Sequence, residues 1–72
     1  MSGFNVGDAV RLRNARHFYG PGLPPVCLDA GAVVTVVKVA RHLAEGGTVY
    51  VVEEPGGRRQ NAPDYDLEGV TE

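Results

Sequence analysis

The sequence predicts an all-β domain: a small, closed five-stranded barrel with a long first loop and a 3₁₀ turn before the last strand. Residues 31–40 form the densest run of β-branched side chains, and seven of the nine positions from Ala32 to Ala40 are Ala or Val, as suits a central strand. Ten Gly and five Pro in 72 residues demand many turns and leave little room for helices. Residues 9–13 alternate apolar and charged, the period of a half-buried strand.

Residues 1–6 are a short lead-in whose Phe4 and Val6 fall on one face of an extended segment, expected to help close the barrel. Gly7 and Asp8 signal a turn. In the following strand Val10 and Leu12 point inward, and Arg11 and Arg13 point to solvent. Residues 14–30 read as a loop, because Gly20, Pro21, Gly22, Pro24 and Pro25 break both helix and central strand. Its Phe18, Tyr19, Leu23, Val26 and Leu28 are expected to fold back on the barrel. The central strand starts at Gly31, with a bulge or bend near Val36 and Val37 that lets it serve two halves of the barrel. Residues 41–47 are a hairpin connection with positive φ at Gly46 and Gly47, and residues 48–53 are the returning strand. Pro55, Gly56 and Gly57 make a second turn. Residues 58–61 then form a short polar strand at an exposed edge, residues 62–65 the 3₁₀ turn, and residues 67–70 the last strand. The expected core is Val10, Leu12, Val34, Val36, Tyr50, Val52 and Leu67.

Seventy-two residues support one domain, residues 1–72, with one small core. A formal net charge of −2 lacks the basic surplus that phosphate binding requires, so nucleic acid is not an expected partner. Cys27 is the single cysteine, and no apolar run has the length of a membrane span or the flanks of a signal peptide. The expectation is a cytoplasmic protein without membrane association. A barrel this small gains stability from a neighbour's apolar surface, which leaves homo-oligomerisation open.

Cys27, His17 and His42 are the only soft metal ligands, and they lack the paired spacing of a zinc site. Cys27 reads as a small apolar filler and both histidines as solvated loop residues. Asp64, Asp66, Glu68 and Glu72 form an acidic tail, and Glu53 and Glu54 close a strand. All of these carboxylates read as solvated surface, because a catalytic one needs a pocket that raises its pKa. No nucleophile–histidine signature or phosphate loop is present. No catalytic residue, metal site or cofactor is assigned.

The five short strands, long first loop, two hairpins and 3₁₀ turn resemble the SH3-like barrels, and Phe4, Gly7, Asp8, Val10 and Arg11 are similar to the opening of many bacterial members. Such barrels host unrelated functions. Gly7, Asp8, Val10 and Arg11, then Arg13 and Asn14, Tyr19, Pro21 and Gly22, the glycine-led strand 31–39, and Tyr50 with Val52 resemble the NifZ family of nitrogenase maturation proteins. That likeness implies an accessory or maturation role; the family's Asn-Asp-Gly-Thr loop run is absent. Residues 4–11, Tyr50, Val52 and Glu53, and Gly57, Gln60, Pro63, Leu67 and Glu68 are similar to the plasmid-type (type II) dihydrofolate reductases. Of that family's Val-Gln-Ile-Tyr pore motif only Gln60 is kept, so this likeness implies the fold and an oligomer more than the reaction. Pro63, Asp64 and Tyr65 resemble the Pro-x-x-Tyr turn of peptide-binding SH3 domains with one residue fewer, in a chain without the tryptophan of that groove. The strand 31–39 is similar to that of KOW-type RNA-binding modules.

An SH3-like barrel sets its first and edge strands beside the long loop, which implies that Arg11, Arg13, Arg16, Arg41, Arg58 and Arg59 gather near Phe18 and Tyr19. Arg16, Phe18, Tyr19, Arg41, Arg58, Arg59 and Tyr65 are therefore the expected partner-binding residues, since Arg and Tyr are enriched at interface hot spots. The expectation is a binding or assembly module for a protein partner rather than an enzyme. A type II reductase-like oligomer is the alternative, and a KOW-like RNA-binding module the second.

Overall fold

Alternation at the start of the chain becomes β1 (Ala9–Leu12), with Val10 and Leu12 buried and Arg11 exposed between them. The computed structural model describes residues 3–70. Within them the chain continues through β2 (Arg16–Gly20), β3 (Leu23–Leu28), β4 (Val33–His42), β5 (Thr48–Glu53) and β6 (Arg59–Pro63). A 3₁₀ turn, Asp64–Asp66, then leads into β7 (Leu67–Gly69).

All seven strands belong to one antiparallel sheet in the order β3-β2-β6-β5-β4-β1-β7. The sheet curls so that its inner faces share one core of Val10, Leu12, Phe18, Val34, Val36, Tyr50, Val52, Ala62 and Leu67. All seven expected core residues are in it; Phe18 and Ala62 are additions. Among the described residues the fold is thus all-β with seven strands rather than five, and β3 and β7 remain as edges, so no hydrogen-bonded ladder among these residues closes it.

The two extra strands come from the segment expected to be a loop. Residues 16–28 form a hairpin in which Arg16 lies opposite Leu28, His17 opposite Cys27 and Phe18 opposite Val26. Its turn is made by Gly22 at φ 72°, a left-handed conformation that glycine adopts freely. Pro24 and Pro25 are tolerated because β3 is an edge strand and both fall where its register with β2 is interrupted, between the Gly20–Leu23 and Phe18–Val26 pairs. The Pro24 carbonyl instead accepts a hydrogen bond from Arg58 Nε at 2.5 Å.

The Val-rich run bends as its composition implies. The β4–β5 register shifts between Val36 and Lys38, and again between Val39 and Arg41. Gly46 and Gly47 have φ of 98° and 100° and close the hairpin to β5. Polar β6 is internal to the sheet and not an edge: it pairs with β5 along its length and with β2 at Tyr19 opposite Arg59. Of the two lead-in residues expected to help close the barrel, only Phe4 packs against the core. Its ring meets Tyr50 edge-on at 5.6 Å and its amide donates to the Tyr50 hydroxyl at 2.9 Å, whereas Val6 stays exposed.

Candidate functional site

Three of the seven expected partner-binding residues meet around one groove. Arg41 lies directly opposite Val49, and Val49 opposite Pro63, so these three side chains form a row across β4, β5 and β6 on the face turned away from the core. Tyr50 and Ala62 project to the other, buried face. The register shift at Ala40 sets this row: without it Arg41 would sit opposite Thr48, and a bulge re-aims a side chain in this way. Leu43 from the turn, Arg16 and Asn61 complete the walls with Tyr65, giving a groove of about 510 Å³.

Tyr65 is the most exposed large apolar side chain at 75%, yet its backbone is held from both sides. Asp64 Oδ2 accepts the Thr48 amide at 3.0 Å, tying the turn to the start of β5. Asp66 is only 5% exposed; it accepts from Asn14 Nδ2 at 2.5 Å and Arg16 Nε at 2.6 Å, and its carbonyl accepts the Arg13 amide at 2.9 Å. Burial alone would raise the Asp66 pKa. The Asn14 and Arg16 hydrogen bonds and the charges of Arg16 and Arg13 outweigh that effect and hold it below its ordinary value. Arg16 in turn donates through Nη1 to the Asn61 carbonyl at 3.1 Å, which fixes the Asn61 wall of the groove to the same anchor.

The reading of these acids as solvated surface is overturned for two of them. Asp66 and Glu54 are the buried charged residues among those described. Glu54 Oε2 accepts from the Arg58 amide and from Arg58 Nη1, both at 3.0 Å. The backbone amides of Gly56 and Arg58 lower its pKa most, desolvation opposes them, and the Arg58 side chain adds to the lowering. Neither carboxylate is poised as an acid or base near neutrality, since both titrate below their usual range. Glu72 lies outside the described residues.

The remaining expected binding residues scatter. Phe18 is fully buried, which removes it from any surface: it alternates with exposed His17 and Tyr19 along β2 and takes the inward position. Arg58 is committed to Glu54 and Pro24. Arg59 pairs with Glu53 at 3.0 Å and sits opposite exposed Tyr19. Cys27 is exposed on β3 rather than a core filler, and His17 and His42 lie on strands, both exposed. No group of three or more His, Cys, Asp or Glu that could hold a metal exists among the described residues.

On the other side of Tyr65 a second groove of about 550 Å³ is lined by Phe4, Arg13, Asp64, Leu67 and Glu68, among others. Tyr65 therefore stands as a ridge between two depressions of different charge. Sequence reasoning missed the groove's apolar walls, Leu43, Val49 and Pro63, and the Asp66 anchor. Val49 could not be singled out, because with Tyr50 and Val52 read as inward it is left on the outer face, and only the register shows that Arg41 and Pro63 flank it there.

No family model, curated protein or solved structure matches this chain. No helix among the described residues is long and apolar enough to cross a membrane.

Proposed function

We propose that this chain is a small SH3-like binding or assembly module that recognises a protein partner through the groove bordered by Arg41 and Tyr65. The observation that carries this is Tyr65 itself, an aromatic ring 75% exposed on a turn whose two flanking carboxylates are both locked by hydrogen bonds. An exposed ring on a rigid support contributes contact area without a large ordering cost, which is what an interface anchor requires. The SH3-like reading is supported by the order β7-β1-β4-β5-β6, by the β2–β3 hairpin in the position of the long first loop, and by the 3₁₀ turn before the last strand.

The reductase alternative is weakened by Gln60. Its Nε2 donates to the His17 carbonyl at 2.8 Å and its Oε1 accepts the Asn61 amide at 2.8 Å, so each end of the amide already holds one bond within the chain and the side chain is oriented by its own sheet. Dihydrofolate turnover by the purified protein that Gln60→Ala abolishes would overturn the binding reading. The direct test is capture of partners on the immobilised chain. Tyr65→Ala should leave the melting temperature nearly unchanged and weaken capture by roughly tenfold or more, the size of an aromatic hot spot.

A further inference from the structure

Resting on that reading, we infer that the segment bound in the groove is an extended acidic peptide, with a carboxylate on Arg41 beside an apolar side chain packed on Val49, Pro63 and Tyr65. The groove's lining includes two arginines and no carboxylate, although the whole chain is net negative at −2. The neighbouring groove across Tyr65 sets Arg13 against Asp64 and Glu68. Arg16 is neutralised by Asp66, so the uncompensated charge on this lining is the single positive charge of Arg41, and complementary charge selects partners and register.

The two arginines do different work. Arg16 is occupied by Asp66 and the Asn61 carbonyl and serves as framework. Arg41 takes part in none of the ion pairs among the described residues and is exposed at the mouth. Its planar guanidinium suits two-point contact with a carboxylate. Next to it Val49 is 8% exposed and forms an apolar floor, and the Asn61 side chain at the rim offers both a donor and an acceptor to a peptide group. A small anionic metabolite fits poorly, because ligand sites of that kind enclose most of the ligand surface, whereas this groove is open along one side of an exposed ridge. A chain segment lying across the ridge matches its shape.

The test is selection of a random twelve-residue peptide library on the immobilised full chain, run in parallel on Arg41→Glu. The Arg41 side chain is exposed and in no ion pair among the described residues, so this variant should keep the wild-type melting temperature. Expected is enrichment of Asp or Glu next to an aliphatic or aromatic residue, a five- to tenfold or greater loss of affinity on Arg41→Glu, and weakening as salt rises from about 0.05 to 0.5 M. Selected peptides that are neutral or basic but still lost on Tyr65→Ala would sink the acidic assignment and leave the binding module standing. Failure of every peptide to enrich above the bare matrix would sink both.

Discussion

Replacing Asp66 by Asn keeps the size of the side chain and removes its charge, so it isolates the electrostatic part of the anchor beneath Tyr65. In the native protein this carboxylate receives Asn14 Nδ2 at 2.5 Å and Arg16 Nε at 2.6 Å while only 5% exposed. A hydrogen bond to a charged group contributes about 1.5–3 kcal/mol, and breaking a fully buried pair costs about 3–5 kcal/mol. The Arg16 side chain is 26% exposed and regains some water when its partner is neutralised, so the lower range applies. The expected loss at pH 7 is about 1.5–3 kcal/mol by urea denaturation followed by circular dichroism, which corresponds to a drop of roughly 6–24 °C in Tm for a chain of this size. The folded-state pKa of Asp66 is depressed, so its contribution is complete above the unfolded value near 3.9 and disappears as pH falls through the lower folded value. The gap between wild type and Asp66→Asn should therefore close on acidification below about pH 4. Glu54, whose pKa is also lowered, is common to both proteins and cancels in the difference. A loss under about 0.5 kcal/mol at pH 7 would put the pair with ordinary surface ion pairs, and a gap that widens on acidification would reverse the assigned sign; either result refutes the anchor.

Adjacent residues on β2 should behave oppositely. Phe18→Ala removes a fully buried ring and should cost about 3–5 kcal/mol, while Tyr19→Ala at an exposed position should stay within about 0.5 kcal/mol, both read from thermal melts. Gly47→Ala should destabilise more than Gly46→Ala: both have φ near +100°, but only at Gly47 would the new Cβ lie 3.2 Å from an Asp64 carboxylate oxygen. The first should cost more than the roughly 1–2 kcal/mol of left-handed strain expected for the second, and equal melting temperatures would contradict the contact. Tyr50→Phe deletes the acceptor of the Phe4 amide and should lower stability by about 1 kcal/mol. Hydrogen exchange should lose protection at Phe4 and keep it across β5, and unchanged exchange at Phe4 would remove the hydrogen bond from the account.

Residues whose structure follows from a local pattern were legible in the chain. Alternation in β1, the Val-rich run with its bend near Val37, the turn at Gly46 and Gly47, β5 and the seven expected core residues all follow from side-chain period and glycine freedom. The hairpin at residues 16–28 was hidden because proline penalises a strand only where its missing amide faces a neighbour. Whether β3 is an edge is a property of the assembled sheet. The same holds for Phe18, whose inward position depends on β2 lying beside β6, and for Asp66, which looks like one more acid in a polar tail until the fold brings Asn14 and Arg16 to it from 52 and 50 residues away. Arg41 and Tyr65 could be named from residue type together with the resemblance to SH3-like barrels. Only the tertiary structure decided that they share a groove: one extra residue at Ala40 turns Arg41 onto the face of Val49, and a one-residue change of register exchanges the two faces of a strand.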